Sequence, residues 1–158
     1  MPRVLICYHS KTGNTEAMAY KIADGVREAG VDVDVKKVSE TKQSDLVNYD
    51  GIVYGSPTYF GGCAGELKSF IDKCMPIYEQ LEGKVGGAFT SSDAIAGGNE
   101  TTIMQIVQVH MMCGMVVTGD TEGEPYGPVS IGKPDAEVEK NCVLYGKRIA
   151  NLVKKLHG

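Results

Sequence analysis

Apolar runs with no polar break alternate along this chain with segments whose apolar residues recur at helical spacing. That alternation constrains the fold more than any other feature of the sequence. Val4-Leu5-Ile6-Cys7 and Gly51-Ile52-Val53-Tyr54-Gly55 are continuous, as expected of strands covered on both faces. Between them, Met18, Ile22 and Val26 step by four residues along a predicted helix over 15–28, closed by Gly30. Val31-Asp32-Val33-Asp34-Val35 alternates strictly, so the second strand has one wet face and belongs at a sheet edge. Residues 41–49 read as a short helix. Leu67, Phe70, Ile71 and Cys74 mark another helix, which Pro76 ends or kinks. Val85 to Phe89 is the fourth strand, with Gly86-Gly87 permitting close packing. A helix over 100–112 follows, read through Ile103, Ile106 and Val107 and ended by Gly114. Met115-Val116-Val117 is the fifth strand, and Met111, Met112 and Met115 are assigned to the core. Val138, Cys142, Tyr145, Ile149, Leu152 and Leu156 place the last helix over 135–156, where Lys154 and Lys155 suit its C-terminal dipole.

Strands separated by helices imply a parallel sheet with right-handed crossovers. Five such units with the second strand at an edge predict an α/β, three-layer, doubly wound five-stranded parallel sheet, order 2-1-3-4-5, as one domain over 1–158. The stretch 119–134 carries too many glycines and prolines for regular structure. Loops of that length are commonly functional or disordered.

Composition removes several alternatives. The formal net charge is −4 with 16 basic and 20 acidic residues, which is no footprint for nucleic acid. Five cysteines (Cys7, Cys63, Cys74, Cys113, Cys142) form no C-x-x-C pair and leave an odd count. The sequence therefore points away from a disulfide framework and a metal centre, and toward reduced thiols in the cytoplasm. No signal-peptide pattern precedes the first strand, and no apolar run reaches the roughly 18–20 residues of a membrane span.

In an open α/β sheet, ligands sit beyond the carboxyl ends of the strands where the strand order reverses. Three loops of this chain belong there. Ser10-Lys11-Thr12-Gly13-Asn14-Thr15 follows strand one and opens a helix, offering three hydroxyls, one amide and the N–H groups of a helix start. That set suits a phosphate, although an ordinary helix cap uses the same residues. The loop matches neither G-x-x-x-x-G-K-[ST] nor G-x-G-x-x-G, which favours a phosphate monoester over a triphosphate or a dinucleotide. After strand three, Gly55-Ser56-Pro57-Thr58-Tyr59-Phe60-Gly61-Gly62 places two aromatics between a proline and two glycines. They can flank a flat heterocycle or cap the core. After strand four, 90–99 (T-S-S-D-A-I-A-G-G-N) supplies donors and acceptors suited to a pyrimidine-like edge, or serves as a polar connection. Their joint occurrence, each after the appropriate strand, is the specific signal.

At these residues the chain resembles the flavodoxin superfamily, and within it the tryptophan-repressor-binding-protein-like (WrbA-type) NAD(P)H:quinone reductases. The motif S-K-T-G-N-T is similar to the flavodoxin phosphate loop. G-S-P-T-Y-F-G-G resembles the segment at the flavin ring, and G-A-F-T-S-S-D-A-I-A-G-G-N-E-T-T over 87–102 resembles the family's F-x-S-x…G-G-Q-E-T stretch. The P-Y-G at 125–127, followed by Ile131, is similar to its closing pattern. The resemblance implies FMN as cofactor, with Ser10, Lys11, Thr12, Gly13, Asn14 and Thr15 at its phosphate. It also implies Pro57, Thr58, Tyr59, Phe60 and Gly61 beside the isoalloxazine, the alternative being that one of the two aromatics packs inward. Ser91, Ser92, Asp93 and Gly97 then lie at the pyrimidine side. Chemistry resides on the flavin, so no catalytic side chain and no metal is implied.

The resemblance further implies electron transfer from NAD(P)H through FMN to a quinone-like small molecule. The alternative is a flavodoxin-type carrier docking on a redox partner protein; homo-oligomer formation stays open. Three departures stand out. Met112-Cys113 replaces the family's His pair, with His110 offset. The insertion used in family tetramers is missing between residues 38 and 50. Asp93 stands where neutral residues are usual, and near the ring its charge would oppose an anionic reduced flavin and lower the potential. His9 reads as a loop-start polar residue, His110 as a satisfied structural histidine and Cys63 as an inert thiol.

Overall fold

The computed structural model describes residues 1–158. Its strands are β1 (Arg3–Tyr8), β2 (Asp32–Lys37), β3 (Gly51–Tyr59), β4 (Gly62–Cys63), β5 (Val85–Ser92), β6 (Val116–Val117) and β7 (Val129–Ile131). The helices are α1 (Asn14–Glu28), α2 (Gly65–Asp72), α3 (Asn99–Met112) and α4 (Ala136–His157). The main path runs β2-β1-β3-β5-β6 with every neighbouring pair parallel. This is the predicted doubly wound order, the fourth and fifth strands of the sequence reading being β5 and β6. No helix is long and apolar enough to cross a membrane.

Each face of the sheet carries its own core. One packs Val4, Ile6 and Val53 against Met18, Ile22 and Val26 of α1 and Ile149 and Val153 of α4. The other packs Leu5, Ile52 and Tyr54 against Leu67 and Phe70 of α2 and Ile103 and Ile106 of α3. Consecutive strand residues point to opposite faces, which is why continuous apolar strands fill both. Helices α1 and α4 touch backbone to backbone at Gly25 and Gly146. A Cβ on Gly25 would overlap the Val143 carbonyl, and one on Gly146 the Ile22 carbonyl.

The edge beyond β5 is built in two pieces. β6 pairs with Val85 and Gly86, and β7 with Thr90 to Ser92. The β-branched residues Val129 and Ile131 thus make a strand inside a stretch that the sequence assigned to irregular loop. Pairing decides it, because Thr90 N–H bonds Pro128 O (3.1 Å) and Gly132 N–H bonds Ser92 O (2.8 Å). In the gap between the pieces, side chains take over. His110 Nε2 donates to Gly87 O at 2.9 Å, and Ala88 N–H donates to the Tyr145 hydroxyl at 2.9 Å.

One further expectation is refined and one corrected. The short helix over 41–49 is of the 3₁₀ kind and spans Gln43–Asn48, after a 3₁₀ turn at Val38–Glu40, with Leu46 its one buried anchor. So short a segment lacks the hydrogen bonds to offset helix nucleation. Met111 and Met112 are 67% and 77% exposed, whereas Met115 is buried as expected. The buried side of α3 is set by Thr102, Ile103, Ile106 and His110, and the two methionines after His110 rotate off that face.

Candidate functional site

The loops after β1, β3 and β5 meet at the carboxyl end of the sheet, and hydrogen bonds join them. Thr15, buried at the start of α1, shares a 2.8 Å bond between its Oγ1 and Ser91 Oγ at the end of β5. Thr90 Oγ1 donates to Ser56 O at 2.7 Å, so it accepts from Thr58 Oγ1 at 2.8 Å. Ser56 Oγ in turn accepts from Ala64 N–H at 2.8 Å. The hydroxyls of Thr15 and Thr58 therefore help to fasten one loop to the next.

The first loop is organised around Ser10. Its Oγ accepts from Gly13 N–H (3.2 Å) and Glu16 N–H (3.3 Å), bending the chain back on itself. Gly13 takes φ +98°, a left-handed conformation that favours glycine, and a Cβ there would meet nothing within 4 Å. The N–H groups of Lys11, Thr12, Asn14 and Thr15 find no acceptor within the chain. Four such donors at the positive end of a 15-residue helix match an oxyanion group. Lys11 is exposed beside them and forms no ion pair. Beneath the loop, the Tyr8 hydroxyl donates to the Glu16 carboxylate, and burial pushes the phenol well above its ordinary pKa.

In the second loop neither aromatic packs inward. Tyr59 is 39% exposed and Phe60 stands fully in solvent, with φ +49°. The turn therefore carries both rings outward at the end of β3. Pro57 and Gly61 are half-buried at the two ends of the turn.

The third loop is a polar turn. Ser92 Oγ donates to Ala94 O (3.1 Å) and accepts from Asn99 Nδ2 (3.4 Å), while residues 93–97, Asp93 and Gly97 among them, are exposed. Ser91 and Ser92 are buried. A cleft of about 300 Å³ separates this loop from Tyr126 in the P-Y-G stretch, with Ile95 and Ile131 on its walls.

The remaining polar residues take quiet roles. His9 N–H bonds Gly55 O (3.1 Å) and its ring lies 3.7 Å from Glu66. His110 is fully buried, stacked on Tyr54 with ring centroids 5.2 Å apart and only 3° between planes. Its proton sits on Nε2, since a carbonyl can only accept, and burial lowers its pKa to about 4. Burial pushes the Cys63 thiol up to about 11, which keeps it protonated and unreactive near neutrality.

Sequence reading missed the supports under these loops. Thr101 Oγ1 donates to Gly61 O (2.6 Å), with Gly98 O also within reach at 3.0 Å, and Gln105 Oε1 accepts from Cys63 N–H (2.8 Å). Both lie within a helix, where periodicity gives them no mark. The one signal that could have pointed there is the adjoining Gly97-Gly98 pair, which permits a close backbone approach.

Known proteins share this fold. The flavodoxin domain family matches residues 5–118. A Bradyrhizobium diazoefficiens protein named NAD(P)H dehydrogenase (quinone) is 36% identical over 199 aligned positions, covering the whole of both chains. Against the 158 residues here, 41 of those positions face a gap in this chain. A flavodoxin from the domain Archaea superposes with a TM-score of 0.80 at 28% identity, over 96% of this chain and 99% of that one. A flavodoxin described as WrbA-like, from Agrobacterium tumefaciens, shares the fold at a TM-score of 0.85 and 24% identity, over 99% of each chain.

Proposed function

The chain belongs to the flavodoxin domain family, and from that premise we propose that it is an FMN-binding oxidoreductase that passes electrons from NAD(P)H to a quinone-like acceptor. The observation that carries the cofactor is the first loop, where four unpartnered N–H groups and the Ser10 and Thr12 hydroxyls gather at the start of α1. These would hold the terminal phosphate. The Pro57–Gly61 turn would flank the ring, and Ser91, Ser92, Asp93 and Gly97 would face its pyrimidine edge. Bound there, FMN supplies a ring that accepts a hydride and gives up two electrons.

The chain's own contribution is placement and access. The bonds from Thr15 to Ser91 and from Thr58 through Thr90 to Ser56 fix the three loops relative to one another before any ligand arrives. Fully exposed Phe60 and half-exposed Tyr126 leave the rim open to a diffusing acceptor rather than sealed beneath a lid. The shared name of the relatives supports a quinone-like acceptor over a carrier role. Residues 1–158 form one domain in this reading, and five free thiols suit a reducing cytoplasm.

The test is anaerobic mixing of FMN-loaded protein with NADH and, separately, with NADPH, followed by addition of a benzoquinone. Loss of the oxidised flavin band, then its return on quinone addition, is expected. Flavin that stays oxidised with both nucleotides would remove the enzyme reading.

A further inference from the structure

One helix holds the aromatic turn. Thr101, in the first turn of α3, reaches Gly61 O and Gly98 O with the same hydroxyl. One turn further along, Gln105 takes the Cys63 N–H, and Cys63 Sγ lies 3.8 Å from Thr102 O. Between these bonds the two loops are in backbone contact, because a Cβ on Gly98 would overlap Gly61 Cα. Phe60, Gly61 and Gly98 all have positive φ, at 49°, 82° and 101°. An L side chain at residue 60 does not adopt that backbone by its own preference. Such conformations persist when the surroundings over-determine them.

We infer that Thr101 and Gln105 are positioning residues for the flavin ring, fixing the 59–63 turn against α3 and thereby setting how tightly the ring is held and at what potential. The inference rests on the FMN reading above. In a planar peptide, a carbonyl held in one direction fixes the N–H of the same unit on the other side. Thr101 therefore orients the Gly61–Gly62 peptide, and Gln105 the Gly62–Cys63 peptide. Peptide dipoles beside a ring that changes charge on reduction interact unequally with its two oxidation states, so their orientation enters the potential. Thr101 is itself exposed, so it acts by orientation and not by filling space.

The experiment compares wild type, Thr101→Val and Thr101→Ser, each as apoprotein and loaded with FMN. Valine keeps the branched shape and removes the donor; serine keeps the donor. FMN affinity is read by quenching of flavin fluorescence, the two-electron midpoint potential by dye equilibration, and apoprotein stability by thermal melting. Thr101→Val should bind FMN about fivefold more weakly. It should also change the ratio of reduced to oxidised flavin affinity by threefold or more, about 14 mV for a two-electron couple. Thr101→Ser should restore both, with all three apoproteins melting alike. Wild-type affinity and potential in Thr101→Val would overturn the inference, as would failure of serine to restore them, or an apoprotein melting loss that accounts for the weaker binding. A wild-type protein that takes up no FMN would instead overturn the cofactor reading itself.

Discussion

His110 and Tyr145 reach β5 from opposite faces of the sheet and satisfy adjacent residues of the same strand, Gly87 through its carbonyl and Ala88 through its N–H. The glycines there make the approach possible. A Cβ on Gly86 would lie 2.5 Å from His110 Cγ, and one on Gly87 would lie 2.7 Å from the Tyr145 hydroxyl. The edge is thereby allowed to break between β6 and β7, and the chain from 118 to 128 leaves the sheet to pass beside the candidate site.

Tyr145→Phe tests this bridge with little change of volume. The variant strands a buried N–H on Ala88, and leaving such a donor unpaired costs about 1–3 kcal/mol. Urea denaturation should show that loss with an unchanged m-value. A cost near zero would mean that the strand does not need the hydroxyl.

His110 makes stability depend on acid. Its pKa is about 4 in the folded protein because burial disfavours the charged ring, against an ordinary 6.5. As pH falls below about 6.5 the unfolded chain takes up the proton first, so its contribution is complete above that value and is lost progressively down to about pH 4. The loss is at most about 3 kcal/mol. Denaturation of the apoprotein at several pH values, with His110→Phe alongside, measures it. The variant should be less stable at pH 7, through loss of the Gly87 bond, and flatter in this window. Equal slopes in the two proteins would exclude His110 as the source.

Ser91→Ala breaks the link between the first and third loops at Thr15. The Thr15 hydroxyl is 1% exposed as a residue, so its loss of partner costs about 1–3 kcal/mol of stability. FMN affinity should fall with it, since the first and third loops, proposed to hold the phosphate and the pyrimidine edge, lose their fixed separation. Thermal melting with and without FMN separates the two effects. A variant that melts and binds as wild type does would show the bond to be dispensable.

Riboflavin lacks the phosphate that the first loop is proposed to hold. Two or more charge-assisted bonds from the Lys11, Thr12, Asn14 and Thr15 N–H groups, at about 1.5–3 kcal/mol each, predict at least about a hundredfold weaker binding than FMN. Calorimetric titration of both ligands is the check, and comparable affinities would be evidence that the loop is only a helix start.

Much of the architecture was legible because the strands are simple. Val4 to Cys7 and Ile52 to Tyr54 feed both cores with consecutive side chains, and Val33 and Val35 alternate with aspartates at the edge. The helices around Ile22, Ile106 and Ile149 declared their buried faces by spacing alone. The three loops of the candidate site were legible for a related reason: each follows a strand, and glycine, proline and hydroxyl residues punctuate it. Where the signal failed, it failed in short pieces. Val129-Ser130-Ile131 is too brief for periodicity to register, and Met111 and Met112 are apolar yet exposed at the end of α3.

The sequence by itself determined the order of strands and helices, the faces they bury and the three loops at the carboxyl end of the sheet, since these follow from local patterns repeated over several residues. Only the tertiary structure decided what ties those loops together, Ser91 under Thr15 and Thr101 on Gly61, and what serves β5 where its edge is open between β6 and β7, His110 and Tyr145. Each is a single hydrogen bond between residues 23 or more apart, joining groups that no periodicity links, and such a bond exists only once packing has brought its two ends within about 3 Å.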